Sequence, residues 1–372
     1  MRKMSEYIYQ LKDWPKFHWK DESITALLSS IRHKQGRLLG YMEALGFKLR
    51  SEALLASLTM TIVKTSEIEG EILNPEQVRS SIARRLGMEI GGLIPSERNI
   101  DGVVEMMVDA TQNFEEPLTT DRLFGWHSAL FPSGRSGMYK IKVGDWRDDH
   151  KGPMQVVSGV MGREQIHFEA PSASSVQYEM NEFLHWFNSD INMDPVLKAS
   201  IAHLWFITIH PFEDGNGRIA RAIADLQLAR ADGSSQRFYS MSAQIQKERN
   251  NYYNILESTQ KGFLDITIWM NWFLACLNRS LDSTDILLTK VLDKAKFWDR
   301  FSTLNLNERQ IKILNKLLDG FEGKLTSSKW ATLTKCSQDT ALRDIQDLIS
   351  KNVLIKEMAG GRSTSYILSM YP

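Results

Sequence analysis

Apolar residues recur at the spacing of an α-helix along most of this chain, and no other feature limits its fold as strongly. Leu54, Leu58 and Ile62 lie on one helical stripe, and Asn74 followed by Pro75 is a typical helix start. Similar patterns follow up to residue 300, so the chain is predicted to be mainly α-helical. They cover 96–114, 119–131, 174–188, 194–209, 215–231, 242–260 and 264–300.

The segment between Gly137 and Pro171 departs from the helical pattern. It contains short runs in which apolar and polar residues alternate, notably 139–143 and 165–168, and glycines separate these runs. Alternation of this kind is typical of a β-strand, and glycines are typical of the turns between strands. The segment therefore predicts a β-hairpin inserted into a helical domain.

The chain from residue 306 onward combines both patterns. A helical run over 307–318 is followed by helix starts at Thr326 and Ser337, and two short alternating runs then flank Gly360–Gly361. Three helices followed by a β-hairpin is the order of a winged helix-turn-helix. We therefore predict three parts: an N-terminal helical region over 1–95, a helical core over 96–300 and a winged helix module over 306–372.

Composition places the chain among ordinary globular proteins. Its 372 residues fit two or three domains, and Lys+Arg equals Asp+Glu at 45 each, so no net field attracts nucleic acid or lipid. Two cysteines cannot form a disulfide scaffold, and no Cys/His spacing is typical of a zinc site. The N-terminus has no signal-peptide pattern, and no apolar run reaches the ~20 residues of a membrane span. We expect a cytoplasmic protein without membrane contact.

A short segment, His210–Arg221, contains side chains that bind phosphate groups. Gly215 and Gly217 lie where one apolar helix has ended and another begins. Glycines allow backbone N–H groups to approach an anion, and a helix N-terminus adds partial positive charge. Arg218 and Arg221 are three residues apart, so they share one face of the new helix. Two guanidinium groups at such a place suit a polyphosphate better than a single carboxylate.

The same segment contains groups for metal binding and proton transfer. Asp214 supplies a carboxylate of the kind that holds Mg²⁺ together with phosphate oxygens. His210 has an ordinary pKa suited to taking a proton from an attacking hydroxyl. Any one of these residues alone is more often structural. Their combination within twelve positions favours phosphoryl or nucleotidyl transfer.

This segment matches in full the signature of the Fic family, His-x-Phe-x-Asp/Glu-Gly-Asn-Gly-Arg-x-x-Arg, and its surroundings resemble the Fic core over about 52–279. The family consists mainly of adenylyltransferases that move AMP from ATP to a Ser, Thr or Tyr hydroxyl of a target protein. The resemblance implies that His210 is the general base and that Asp214 carries Mg²⁺. It also implies a nucleotide site made of Asp214, Gly215, Asn216, Gly217, Arg218, Ile219, Ala220 and Arg221, in which the two arginines hold the β- and γ-phosphates.

The resemblance also assigns the hairpin and the adenine side of the site. In Fic proteins a flap ahead of the motif binds the target peptide by adding a strand, and residues 165–168 occupy that place here. Gln165, Ile166, His167 and Phe168 are therefore expected near the nucleotide, although His167 and Phe168 could be ordinary strand residues. Tyr252 and Gln260 are expected to line the adenine, or else to be core or surface residues.

A second motif, Thr65–Gly70, fits the inhibitory pattern of the family, Ser/Thr-x-x-x-Glu-Gly/Asn. The resemblance implies that Glu69 pairs with Arg221 and so removes the fork that the γ-phosphate needs. ATP would then bind with its α-phosphate misaligned for attack. In some relatives the same glutamate supports removal of AMP, so a de-AMPylating enzyme is an open alternative.

The C-terminal module leaves further alternatives open. From residue 306 it has ten basic and seven acidic residues, a mild excess for DNA binding. Thr340 and Arg343 would face outward on a recognition helix, with Arg362 on the wing. A nucleotide-sensing DNA-binding regulator is therefore the rival hypothesis, and a role in protein interaction or homodimer formation is equally open. Self-modification is expected at mobile hydroxyls such as Ser363 and Thr364.

Overall fold

The structure is a computed structural model that describes residues 7–44, 47–150, 152–159, 165–318, 320–321, 323–357 and 364–369. Helices dominate these residues, so the predicted mainly helical fold is confirmed. After a single 3₁₀ turn at Ile8–Gln10, the helices are α1 (Asp21–Glu43), α2 (Phe47–Ile68), α3 (Pro75–Arg85), α4 (Arg98–Gln112), α5 (Thr120–Leu130), α6 (Ala173–Asn188), α7 (Pro195–Ile209), α8 (Asn216–Asp232), α9 (Met241–Lys247), α10 (Arg249–Gln260), α11 (Thr267–Arg300), α12 (Glu308–Leu318), α13 (Ser327–Thr334) and α14 (Gln338–Ser350).

The strands of the described residues form three antiparallel pairs. The insertion that the sequence predicts between α5 and α6 contains two of them, and in the second pair Val156 lies opposite Phe168. The ladder is irregular between Val156 and Val157. The strands are β1 (Arg135–Ser136), β2 (Tyr139–Lys140), β3 (Gln155–Ser158), β4 (Gln165–Glu169), β5 (Leu354–Lys356) and β6 (Tyr366–Leu368).

The described chain divides into two compact units. The first comprises residues up to Glu89 and Leu93–Asp285, and the second comprises Ile90–Gly92 and the residues from Ile286 onward. The N-terminal region and the helical core thus fall into one compact unit, and the boundary at residue 285 lies within α11. The predicted three-part division at 95 and 306 stays a prediction.

The first unit is built around α7 and α8, which pack against each other. Asp194 caps the first turn of α7, where Pro195 needs no hydrogen-bond acceptor, and every later residue of the helix is buried. A helix that is apolar on all sides can be stable only inside the protein. Helices α2, α4 and α5 also contact α8. The loop between α7 and α8 therefore lies on a rigid, enclosed support.

The second unit has its own core, with Trp330, Ile313 and Leu354 fully buried between α12, α13, α14 and the strand pair β5–β6. This order is the one that the sequence predicts, and its assignment as a winged helix stays a prediction. On α14 Arg343 is exposed and Thr340 is partly exposed, whereas Asp344 is buried against Arg309. Arg362 and Ser363 lie outside the described residues.

Candidate active site

The loop from His210 to Gly215 turns the chain sharply between α7 and α8. Gly215 has a φ of 81°, a conformation that glycine adopts without strain, and His210 has a φ of 53°. The Asn216 amide braces the turn, because it accepts from Phe212 N at 3.0 Å and donates to Phe212 O at 2.8 Å. Phe212 itself is fully buried. The sequence predicts this loop and its apolar anchor; Asn216 shapes the loop with both ends of its side chain.

The His210 side chain is a free base in this environment. Burial is the main cause that lowers the pKa of the imidazole to about 4; the Arg147 guanidinium also lowers it, and the hydrogen bond to the Ile207 carbonyl opposes both. The ring nitrogen Nδ1 lies 3.3 Å from that carbonyl, so Nδ1 carries the proton and donates it. Nε2 is therefore left with a lone pair, and the ring is neutral at pH 7.

The two motif arginines are buried at the start of α8. Arg218 is 7% exposed and Arg221 is 2% exposed. Arg221 Nη1 and Arg218 Nε have no hydrogen-bond partner among the described residues, although both atoms are buried. Unpartnered buried donors are costly, so these two atoms point to a missing acceptor. Of the two atoms, Arg221 Nη1 lies beside Gly217.

The carboxylate of Glu69 occupies part of that space. It accepts from Arg221 Nη2 at 2.7 Å, and Thr65 accepts from Arg221 Nε at 2.7 Å. A Cβ atom on Gly217 would collide with the Glu69 carboxylate. Burial by itself would lower the pKa of Arg221, but the Glu69 charge raises it above its ordinary value. The end of α2 thus places an acidic group directly on the motif.

A second carboxylate, which sequence reasoning did not single out, contacts the other motif arginine. Glu71 Oε2 accepts from Arg218 Nη1 at 2.9 Å, and Asn99 donates to Glu71 Oε1 at 3.4 Å. The Arg218 guanidinium also lies 5.1 Å from the centre of the Phe131 ring. Glu69 and Glu71 are two residues apart in the turn after α2. The Glu-Gly-Glu sequence at residues 69–71 is the signal from which this second contact could have been predicted.

Asp214 lies on the other side of the loop. Its carboxylate accepts from the Ser136 hydroxyl and from Gly215 N, and its carbonyl oxygen lies 3.2 Å from His127 Nε2. Gly144 N donates to His127 Nδ1 at 3.1 Å, so Nε2 is the protonated nitrogen. Burial lowers the pKa of His127 to about 4, and this ring is also neutral. Ser136 and His127 support the predicted metal ligand from elements remote in sequence.

The donor set around Asp214 is small. Within the described ranges, no group of three or more His, Cys, Asp or Glu side chains could hold a metal ion by itself. Mg²⁺ in nucleotide sites needs only one or two carboxylates, because phosphate oxygens and water supply the other ligands. Asp214 therefore fits a Mg²⁺ ion that binds together with a polyphosphate.

The flap residues divide into an anchor and an exposed part. Phe168 is buried and its ring lies 5.1 Å from the Tyr7 ring, whereas Gln165 and Ile166 are exposed. His167 bonds to Glu257 on α10 at 2.7 Å and to Ser158 on β3 at 2.6 Å. These contacts hold β4 against the helical core. The segment 160–164, between β3 and β4, lies outside the described residues.

Tyr252 and Gln260 are both buried. Tyr252 bonds to His203 through its hydroxyl at 3.0 Å, and Gln260 donates to Thr208 at 3.3 Å. Burial raises the pKa of the Tyr252 phenol well above its ordinary value. The contacts favour the core alternative for these two side chains, because their polar groups are used by α7. The adenine-lining role stays a prediction.

Comparisons with known proteins show what the region around this site is similar to. Residues 117–228 match the model of the Fic/DOC family, and residues 7–88 match a domain of unknown function, DUF4172. The protein adenylyltransferase Fic of Drosophila ananassae is 30% identical over 228 residues, which cover 59% of this chain and 40% of that protein. The protein of the same name from Aedes aegypti is 30% identical over 223 residues, or 58% of this chain and 39% of that protein. The chain thus spans about two fifths of these relatives.

Two solved structures share the fold. A Fic family protein from Desulfovibrio desulfuricans G20 has a TM-score of 0.54 at 20% identity and covers 94% of this chain and 97% of its own. A Fic domain containing signaling protein from Bacteroides thetaiotaomicron VPI-5482 has a TM-score of 0.51 at 22% identity. The match covers 72% of this chain and 97% of that protein's chain.

Fold and site together define a helical protein whose motif loop joins two buried helices and ends at the start of α8. The chain contains a Fic/DOC domain over residues 117–228 and shares its fold with solved Fic proteins, and together these findings support a Fic family protein. Within the described residues, no helix is both long and apolar enough to cross a membrane.

Proposed function

We propose that this chain transfers AMP from ATP to a Ser, Thr or Tyr hydroxyl of a target protein and releases pyrophosphate. The observation that carries the proposal is the arrangement of a neutral His210 beside two buried arginines with unpartnered donor atoms. Those groups are what a nucleophilic hydroxyl and a triphosphate need at the same place. The names of the similar insect proteins support the same reaction.

The residues take distinct parts in the transfer. His210 Nε2 accepts the proton of the target hydroxyl, and the hydroxyl oxygen forms a bond to the α-phosphorus while the bond to pyrophosphate breaks. Arg218 and Arg221 hold the β- and γ-phosphates and stabilise the charge that the leaving group gains. Asp214 would hold Mg²⁺, which when bound neutralises phosphate charge. The protein therefore contributes chiefly a base and a rigid phosphate cradle.

The flap is proposed to bind the target. Strand β4 pairs only with β3 within the part of the chain that the structure describes, so its other edge has no strand partner there. Ile166 and Val157 are about half exposed on this hairpin. An extended peptide can add to such an edge through backbone hydrogen bonds, which tolerate varied sequences.

Glu69 is proposed to inhibit the enzyme. Its carboxylate takes Arg221 Nη2 and excludes other groups from the space beside Gly217. The γ-phosphate needs the same guanidinium, and two anions cannot share it without repulsion. With the γ-phosphate displaced, the α-phosphate would lie out of line with His210, and such a misplacement can lower the rate about a hundredfold.

The proposal is tested with ATP labelled on the α-phosphate and, separately, on the γ-phosphate. The full chain, its Glu69→Gly variant and a Glu69→Gly/His210→Ala variant are incubated with each label and a cell lysate. We expect protein labelling from the α-label alone, strongest in Glu69→Gly and absent without His210. Labelling from the γ-label would instead indicate a phosphotransferase. Absence of both labels in Glu69→Gly would refute the proposal, and release of AMP from a premodified protein would support the reverse reaction.

A further inference from the structure

The guanidinium group of Arg147 is completely enclosed, although the residue lies outside every motif of the chain. Its side chain has no exposed surface. Nε donates to His210 O at 2.8 Å, Nη1 donates to Asp149 Oδ1 at 3.1 Å and Nη2 donates to Pro171 O. Its backbone N–H donates to Pro211 O at 2.9 Å. All three nitrogens of this guanidinium are thus used by protein acceptors, unlike those of Arg218 and Arg221.

The acceptors belong to two parts of the site that are far apart in sequence. The carbonyls of His210 and Pro211 begin the catalytic loop. The Pro171 carbonyl lies just after β4, where Ala170 N donates to Met154 O at 2.9 Å and so closes the hairpin. Asp149 also accepts from Ala173 N at 2.7 Å and fixes the start of α6. One buried side chain therefore connects the loop that carries His210 with the residues that directly follow β4 in the flap.

His210 needs such a support because of its backbone conformation. A residue other than glycine with a φ of 53° and a ψ of 57° is strained, and surrounding contacts have to hold it there. The bond from Arg147 to the His210 carbonyl fixes the peptide that follows the residue. Since side-chain direction depends on the backbone at the same residue, the bond also fixes where the imidazole points.

We propose that Arg147 is a positioning residue that sets the distance and orientation of His210 relative to a target held on the flap. The inference rests on the proposed AMP transfer. Arginine suits the task because its planar group presents donors in several directions at once, and a lysine ammonium in the same space cannot reach the two carbonyls and the Asp149 carboxylate together.

The charge of Arg147 has a second effect on the same imidazole. The charged groups that face His210 are Arg147, Asp214 and Glu69; the first lowers the pKa of His210 and the two carboxylates raise it. Burial lowers the pKa of the Arg147 group itself, and Asp149 opposes that change. Burial is the larger cause of the neutral imidazole, and a positive charge fixed beside the base adds to it, so that the ring stays in the state that accepts a proton.

The test uses hydrogen–deuterium exchange of the full chain in an Arg147→Lys variant. We expect faster exchange in both segments, 165–171 and 210–217, because each loses one of its carbonyl anchors. Arg122→Lys is the matched control: Arg122 is also largely buried, with 12% of its side chain exposed, and donates to the carbonyls of Asp109 and Asn113 away from the motif. This control should leave both segments unchanged. Asp149→Asn, a milder change, should loosen the same two segments if Arg147→Lys does not fold.

A kinetic measurement in the Glu69→Gly background completes the test. We expect Arg147→Lys to lower kcat for protein modification about tenfold and to leave ATP affinity unchanged, since Arg147 contacts no phosphate-binding side chain. Exchange that stays slow in either segment, or that rises equally in Arg122→Lys, would overturn the inference. If both segments loosen as expected but Glu69→Gly transfers no AMP, the positioning role stands and the proposed function fails.

Discussion

The start of α8, where the phosphates are proposed to bind, and the flap strand β4 are held in opposite ways. We call them the phosphate end and the flap end of the site. At the phosphate end, Arg218 and Arg221 are buried and already paired with Glu71 and Glu69 of the same chain. At the flap end, β4 is held by the buried Phe168 ring and by the bond from His167 to Glu257, while Ile166 on the same strand is exposed. At the phosphate end the two arginines are therefore occupied by carboxylates of the same chain, whereas the flap end presents a strand edge without a strand partner among the described residues. In the proposed reaction, the ion pairs of Glu69 and Glu71 with the arginines limit the activity, and the exposed edge of β4 sets which targets can bind.

The largest change should follow from opening the phosphate end. Glu69→Gly should raise AMP transfer about a hundredfold, because the γ-phosphate then gains Arg221 and the α-phosphate comes into line. Labelling from α-labelled ATP measures the effect. Glu67→Gly is the matched control, since Glu67 lies at the same helix end but pairs with Lys64 and Gln246. Equal rises in the two variants would show that helix loosening, not the Glu69 charge, is responsible.

Damage to the flap end should have a smaller and different effect. Phe168→Ala removes the ring that packs against Tyr7 and Tyr9, so we expect the KM for a protein target to rise about tenfold. ATP affinity should stay the same, which a direct binding measurement can check. A Tyr178→Ala variant serves as a control, because that ring is exposed on α6. Loss of ATP binding in Phe168→Ala would contradict the division of labour between the two ends.

The second carboxylate of the phosphate end should matter less than the first. Glu71 is more exposed than the Arg218 that it contacts, so the pair is partly screened by water. Glu71→Gln should raise transfer by only a few fold, and the increase should persist in the Glu69→Gly background. Transfer rates of the four combinations form a double-mutant cycle. No change in either background would mean that Glu71 does not compete with the β-phosphate.

The smallest change concerns pH. An unperturbed histidine base, with a pKa of about 6.5, would lose about tenfold in rate between pH 7.5 and 5.5. Burial holds the pKa of His210 to about 4, so its imidazole stays neutral over that interval and protonates only as the pH falls towards 4. In Glu69→Gly we therefore expect the rate to change by less than about twofold over this range. A tenfold loss, with folding unchanged, would contradict the assigned environment of the base.

The sequence alone predicted those parts of the site that are contiguous in the chain. His210, Phe212 and Arg221 lie within twelve residues, and the helix–loop–helix that carries them follows from glycines, a buried apolar helix and local caps. The predicted Fic fold and the β insertion are confirmed for the same reason, because period and turn residues are local signals.

Contacts made across the fold were not accessible in this way. Arg147 and Ser136 reach the motif from the β insertion, and nothing in their own sequence context distinguishes them from surface residues. Tyr252 is a different case, because the sequence did not show whether its ring is buried or exposed. Its helix, α10, has a polar sequence, and only the packing of Trp269 and Trp272 from α11 shows that the ring is enclosed.

The central claim is that His210, Arg218 and Arg221 surround a triphosphate once Glu69 is removed. A crystal structure of Glu69→Gly with Mg²⁺ and a non-hydrolysable ATP analogue tests it most directly. The account predicts the γ-phosphate on Arg221, the β-phosphate on Arg218 and the α-phosphorus facing His210 Nε2. Phosphates bound elsewhere, or an analogue whose α-phosphorus lies beyond the reach of a hydroxyl held by that imidazole, would contradict it.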